Sequence, residues 1–318
     1  VTPLTIGSTF TGIGGADLGF EWAGFRVAWQ CEFDTWKQQV LRAHWPDVPL
    51  YDDITTLHDP PAVDVMLGGF PCQDLSVAGK RKGFDGQRSV LAFEFLRVAE
   101  SLAPRWIVLE NVPGLLSSNH GRDFARLVDE MVGCGYGVAW RILDARYFGV
   151  PQRRRRVFLV ARRADAQLDT RASGRLALRA LIESGSGDPT PGWPSRQDTP
   201  ETWVDDGAAN TLNRFDQGDT RTTHAVVDAA STLQSNHSGG VRMDAEGAAG
   251  GHLAVEPTTV RRLTPLECER LMGLPDGWTA PEGVKAPDSK RYAACGDAIV
   301  TWVAYWIGQR IRMIEEEA

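Results

Sequence analysis

Short apolar runs separated by amphipathic stretches dominate the first half of this 318-residue chain. The runs are "LTIGSTF", "FRVAWQCE", "VDVMLGGF" and "RWIVLENV". Between and after them lie Ala16–Trp22, Thr35–His44, "VLAFEFLRVAESL" and "RDFARLVDEMV", the last with Phe124, Leu127, Val128 and Met131 on one helical face. Strands alternating with helices imply βαβ units, so the expected fold is α/β, a doubly wound and mostly parallel sheet. "WRILDA" and "RVFLVAR" close the series. Ligands of such sheets bind at the carboxyl ends of strands. The third run ends there on Gly68-Gly69 and then "FPCQDLS", with a lone thiol, Cys72, behind Pro71. Taken by themselves, those residues fit a small buried cysteine as well as a reactive one.

The pattern breaks after Arg163. From there to about Pro257 the chain is rich in Gly, Asp, Ser, Thr and Pro and holds a degenerate repeat. "AANTLNRFDQGDTRTTHAVV" and "AASTLQSNHSGGVRMDAEGAAGGHLAV" share A-x-T-L, then G, R and H-x-x-V, which reads as two similar β-hairpins. The expected division is a main domain over 1–163, completed by 288–318, and a smaller β-rich domain over 164–287. "AIVTWVAYWIGQRIRMI" reads as a buried helix returning to the first domain. A net charge of −7 argues against a uniformly basic surface, but basic residues cluster in "GKRKGFDGQR", "QRRRRVFLVARR", "VRRL" and "SKRY". No C-x-x-C pair occurs among the five cysteines, so neither a zinc site nor a disulfide framework is expected. No apolar stretch has membrane-spanning length, and no leader-like segment opens the chain, which starts at Val1 as a trimmed terminus would. A cytoplasmic protein without membrane contact is the expectation.

"FTGIGGADLGF" has the glycine spacing of a strand-to-helix cofactor turn, though not that of the dinucleotide fingerprint. Glu32 ends the second strand, where a carboxylate accepts from ribose hydroxyls. Asp53 is placed for a purine amine, with Ile54 against the ring. Together they describe an adenosine site. Glu110 ends an apolar strand, where a carboxyl is costly unless paired or functional. In "GVPQRRRRVFLV", alternation puts Gln152, Arg154 and Arg156 on one face of an extended segment.

The order "FTGIGG", "GGFPCQDLS", "LENV", "GVPQRRRR", "RRLTPLECERLMGLPDGW", "CGDAIV" resembles the DNA cytosine-5 methyltransferases. The match spans nearly the whole chain except the segment between Arg163 and Pro257, the place of the family's target-recognition domain. It implies S-adenosylmethionine as methyl donor and a flipped cytosine in double-stranded DNA as substrate. Cys72 would attack carbon 6 of the ring, Glu110 would hold ring nitrogen 3 and the exocyclic amine, and Arg154 or Arg156 would hold the carbonyl oxygen. The cofactor contacts carried over are Phe10, Ile13, Gly14, Glu32, Phe33, Asp53, Ile54, Pro71, Leu91, Asp297 and Ala298. The expected DNA contacts are Ser76, Lys80, Lys82, Arg88 and Gln152, together with Arg214, Arg221 and Arg242 of the variable segment. The stretch bearing Lys80 and Lys82 is expected to close as a lid over phosphates. Two positions depart from the family pattern: Asp297 stands where it has Asn, and Ala78 where some members carry a polar gap-filling residue. Asp297→Asn is expected to keep activity. An RNA cytosine-5 methyltransferase and an inert DNA-binding module are the competing readings. The expected state is a monomer near the nucleoid that needs no attached restriction endonuclease.

Overall fold

The computed structural model describes residues 2–71, 89–166, 168–182, 230–231, 253–256 and 259–317. The chain begins β1 (Thr5–Thr9), α1 (Gly15–Trp22), β2 (Arg26–Cys31), α2 (Thr35–His44), β3 (Leu50–Tyr51) and β4 (Val65–Gly68). It continues α3 (Ser89–Leu102), β5 (Trp106–Asn111), α4 (Arg122–Gly133), β6 (Tyr136–Asp144), β7 (Gln152–Arg153), β8 (Arg155–Arg163) and α5 (Thr170–Ile182). The remainder is β9 (Ala230–Ser231), β10 (Leu253–Glu256), β11 (Thr259–Arg262), α6 (Pro265–Leu271), α7 (Asp288–Asp297) and α8 (Thr301–Glu317).

The main sheet has seven strands in the order β3-β2-β1-β4-β5-β8-β6. The first five pair in parallel. β8 runs antiparallel to both β5 and β6. No α-helix separates β6 from β8, so the chain has no crossover with which to make them parallel. The strand order reverses between β1 and β4, which creates a crevice at their carboxyl ends. The central strands are apolar on both faces because helices cover both: Ile6, Val65, Met66, Trp106 and Ile107 are essentially solvent-free. Local chemistry sets the helix starts. Asp34 caps α2 by accepting from the Trp36 and Lys37 N–H groups. Thr264 and Glu267 form a capping box ahead of Pro265 at the start of α6.

The boundary of the smaller domain differs from the expectation. α5 packs on β6 and β8, and its Ala177, Ala180 and Leu181 are fully buried in the main core. Leu263, Cys268, Leu271, Met272, Leu274 and Trp278 share that core with α1 and α2. The flanks of 164–287 therefore belong to the main body. The composition break marks where regular patterning fades, and it carries no information on what α5 packs against. Between those flanks, β9 adds in parallel to β7, and β10 and β11 form an antiparallel hairpin. Among the described residues, no helix is long and apolar enough to cross a membrane.

The terminal helix returns as expected, and it does so at close range. A Cβ on Gly19 of α1 would lie 2.4 Å from the Thr301 carbonyl oxygen and 2.8 Å from the Ala304 Cβ of α8. Gly19→Ala is expected to push α1 from α8 and cost about 1–3 kcal/mol. Urea denaturation measures this, and an unchanged midpoint would contradict the close packing.

Candidate active site

The ends of β1, β4 and β5 open into one cleft, lined among others by Phe10, Gly12, Gly69, Glu110, Asp297 and Ala298. On the β1 side the chain turns sharply. Phe10 has φ 53°, the Gly14 N–H donates to the Thr11 carbonyl at 3.0 Å, and Gly14 enters α1 at φ 79°. A side chain on Gly14 would be strained by that φ, and its Cβ would lie 2.4 Å from the Trp45 ring. Glu32 holds the turn from β2: its carboxylate accepts from the Gly12 N–H at 2.7 Å and the Asp34 N–H at 2.9 Å. Burial raises the Glu32 pKa, against the pull of Lys37.

On the β4 side, the Asn111 side-chain amide donates to the Phe70 carbonyl at 3.3 Å and accepts from the Val112 N–H at 2.8 Å. Asn111 thus ties the exit of β4 to the end of β5, just before the exposed Pro71. Next to it, Glu110 forms an ion pair with Arg156 at 2.9 Å, both side chains largely buried.

Of the three residues predicted to share one face, Gln152 and Arg154 are buried and Arg156 is half-buried, and they alternate with half-buried Arg153 and exposed Arg155. They do not share one destination. Arg156 reaches Glu110. Arg154 is buried and donates to the Gly296 and Ala298 carbonyls at 3.1 and 2.8 Å. Burial, and then the neighbouring Arg156 charge, push its pKa down to about 9, so it stays cationic at neutral pH. Gln152, predicted to contact DNA, is solvent-free and donates to the Leu271 carbonyl of α6 at 2.8 Å. Alternation assigns residues to a face but does not say whether that face meets cleft or interior.

Of the predicted cofactor residues, Phe33 is 77% exposed. The Ile13 side chain is fully buried in the core. Asp53 caps a short helical turn by accepting from the Thr55 N–H at 2.8 Å, and Ile54 is buried. Leu91 packs against the core. Ala298 is buried, while Asp297 accepts from Lys37 at 2.8 Å. Burial opposes the Lys37 charge, but Asp297 and Glu32 outweigh it and hold the pKa above its ordinary value. Cys72, Ser76, Lys80, Lys82, Arg88, Arg214, Arg221 and Arg242 lie outside the described residues, as does Ala78.

The structure adds Asp17, which the sequence reading passed over. It is solvent-free and lines the cleft. One oxygen accepts from Ser8 at 2.7 Å and Gln30 at 3.0 Å, and the other has no hydrogen-bond partner among the described residues. An acid one position past the helix-opening "GGA" is the only trace of it in the sequence.

The model of the C-5 cytosine-specific DNA methylase family matches residues 4–313. The chain belongs to that family. This methylase is 31% identical to the type II methyltransferase M2.BsuMI of Bacillus subtilis, over 97% of this chain and 75% of the relative. It is 28% identical to M.NgoPII of Neisseria gonorrhoeae, over 98% and 96% respectively. Its fold matches the S. pombe Dnmt2 methyltransferase at a TM-score of 0.62, with 17% identity, covering 98% of this chain and 99% of that one. The methylase transfers methyl groups to carbon 5 of cytosine in DNA and uses S-adenosylmethionine. The cleft fits that donor: the Gly12 turn that Glu32 holds lines it, and a carboxylate oxygen of Asp17 with no partner among the described residues is buried in its wall.

Burial raises the Asp17 pKa from 3.8 to about 6, against the hydrogen bonds from Gln30 and Ser8. Between those values the folded methylase binds more protons than the unfolded chain, so the Asp17 contribution to stability falls as pH rises. The loss, complete above pH 6, is on the order of 3 kcal/mol. Chemical denaturation of the ligand-free protein at pH 4 and pH 7 should therefore favour Asp17→Asn over wild type increasingly with pH. A pH-independent difference would contradict it.

Proposed function

We propose that Cys72 is the nucleophile of this methylase and that Glu110 and Arg156 grip the cytosine it attacks. The Glu110–Arg156 ion pair carries the reading: a carboxylate and a guanidinium meet at the strand ends, beside the segment that Asn111 anchors two residues before Cys72. Carbon 5 of cytosine is a poor nucleophile until a thiolate adds at carbon 6, and covalent catalysis splits the hard step in two. Glu110 hydrogen-bonds ring nitrogen 3 and the exocyclic amine as the adduct forms, and Arg156 orients the ring through its carbonyl oxygen. When bound, S-adenosylmethionine supplies the electrophilic methyl carbon. Loss of the carbon-5 proton to a water-mediated base then expels Cys72. The other cysteines are unsuited to the attack. Burial pushes the Cys31 and Cys268 thiols up to about 12 and raises those of Cys134 and Cys295.

None of this chemistry is possible inside a stacked duplex, so the base is extruded at a cost of a few kcal/mol. Ser76, Lys80, Lys82 and Arg88 then close over the backbone, and Arg214, Arg221 and Arg242 serve target recognition. The turn at Phe10, Ile13 and Gly14 cradles the donor. Glu32 and Phe33 take its ribose and adenine, Asp53 and Ile54 the adenine edge, and Pro71, Leu91, Asp297 and Ala298 flank it. Arg154 and Gln152 support the site from inside. The enzyme acts as a monomer in the cytoplasm, at the nucleoid, without a bound endonuclease.

Four measurements test this. DNA from cells expressing the protein should carry 5-methylcytosine at one sequence context. Purified protein should methylate duplex DNA in preference to transfer RNA. On DNA containing 5-fluorocytosine it should form a denaturation-resistant complex that Cys72→Ser cannot form. Glu110→Gln should lower kcat by about a hundredfold or more. Undiminished turnover by Cys72→Ser would overturn the reading.

A further inference from the structure

We infer that Trp278 is a positioning residue for the methyl-donor site, fixing the backbone of the glycine turn from the far end of the chain. Its indole N–H donates to the Ile13 carbonyl at 2.7 Å. With the Ile13 side chain in the core, that carbonyl is the turn's own anchoring point. Two further tethers flank that carbonyl, the Glu32 carboxylate on the Gly12 N–H and the Thr11 carbonyl on the Gly14 N–H, and Thr11 itself is bonded to Cys31 of β2. Both come from the first 32 residues, whereas Trp278 comes from 265 positions away.

Trp278 is itself rigidly mounted. Its ring lies flat on His44, with centroids 3.5 Å apart and planes 4° from parallel, and edge-on to Trp45 at 5.5 Å and 75°. Trp45 is the ring against which Gly14 packs, so the stack touches the turn at two successive residues. His44 Nε2 donates to the Trp278 carbonyl at 2.8 Å. On either side, the Gly277 and Thr279 N–H groups donate to solvent-free Glu269 at 2.8 and 2.9 Å. Arg291 neutralises that carboxylate at 2.9 Å. α6 and α7 thus hold the indole, and the indole holds the turn.

Removing the N–H would leave the Ile13 carbonyl buried and unpaired, an expense the turn relieves by relaxing away from its binding geometry. A loss of this kind acts on binding of the donor and not on the chemical step. The inference rests on the cleft being the S-adenosylmethionine site.

The test uses the full chain and Trp278→Phe, which keeps a ring over His44 but lacks the donor. Titration calorimetry with S-adenosylhomocysteine should show about tenfold weaker binding. KM for S-adenosylmethionine should rise in parallel, while KM for DNA and kcat at saturating donor stay within about twofold. Failure of the wild-type protein to bind S-adenosylhomocysteine would overturn the reading of the cleft. Equal affinity of wild type and variant would overturn the role of Trp278 alone. So would a fall in Tm and kcat together with KM unchanged. Should Trp278→Phe not fold, His44→Ala removes the stacked ring and leaves the N–H in place. It is expected to raise the donor KM several-fold at constant kcat, and an unchanged KM there would overturn the role.

Discussion

The Arg154 guanidinium has almost no contact with water, and a charge buried that deeply persists only where oxygen atoms surround it. The oxygens it finds belong to Gly296 and Ala298, at the junction of α7 and α8. That contact docks the end of the chain on the sheet, and the cleft follows from it. The docked junction presents Asp297 and Ala298 as one wall, and its next residue, Ile299, approaches Gly15 so closely that a Cβ there would lie 2.4 Å from the Ile299 carbonyl oxygen. The glycine turn and the wall opposite it thus come from the two ends of the polypeptide. Neither segment alone encloses a binding site.

Charge at the rim is handled in pairs. Glu110 meets Arg156, and Lys37 stands between Glu32 and Asp297. Asp297 therefore has a partner of its own, which gives the departure from the family's Asn a physical setting: the carboxylate is matched by an ammonium 260 positions away in sequence. The pair is partly open to solvent on the Asp297 side, at 41%, so its contribution to stability is small.

Much of this was legible in the sequence. The apolar runs, the turn after β1, Glu32 at the end of β2 and Glu110 at the end of β5 all sit where periodicity and strand-end logic put them. Those inferences depend on neighbours along the chain. What escaped depends on partners far apart. Asn111 was visible in "LENV", but its grip on Phe70 requires β4 and β5 to be adjacent. Gln152 and Arg154 were read as facing the site because alternation puts them on one face with Arg156 and the family resemblance implies contacts there. The carbonyls that satisfy them belong to α6 and to the α7–α8 junction, and no local pattern announces those. Likewise α5 was passed over as a helix within the segment after Arg163, and nothing in its composition says which body it covers.

The reversed direction of β8 has a consequence for how an active rim is stocked. In a sheet whose strands all point one way, each strand delivers to that rim only the residues that come after it. Here β8 runs against β5, with Glu110 opposite Phe158 and Asn111 opposite Val157. The residues that precede β8 in the chain therefore arrive at the edge where Glu110 leaves β5. A single boundary between ordered layers thereby collects an acid from the close of one strand and a base from the opening of another. Their order in the gene, acid first at position 110 and cation later at position 156, is set by the polarity of a ribbon that carries no chemistry itself.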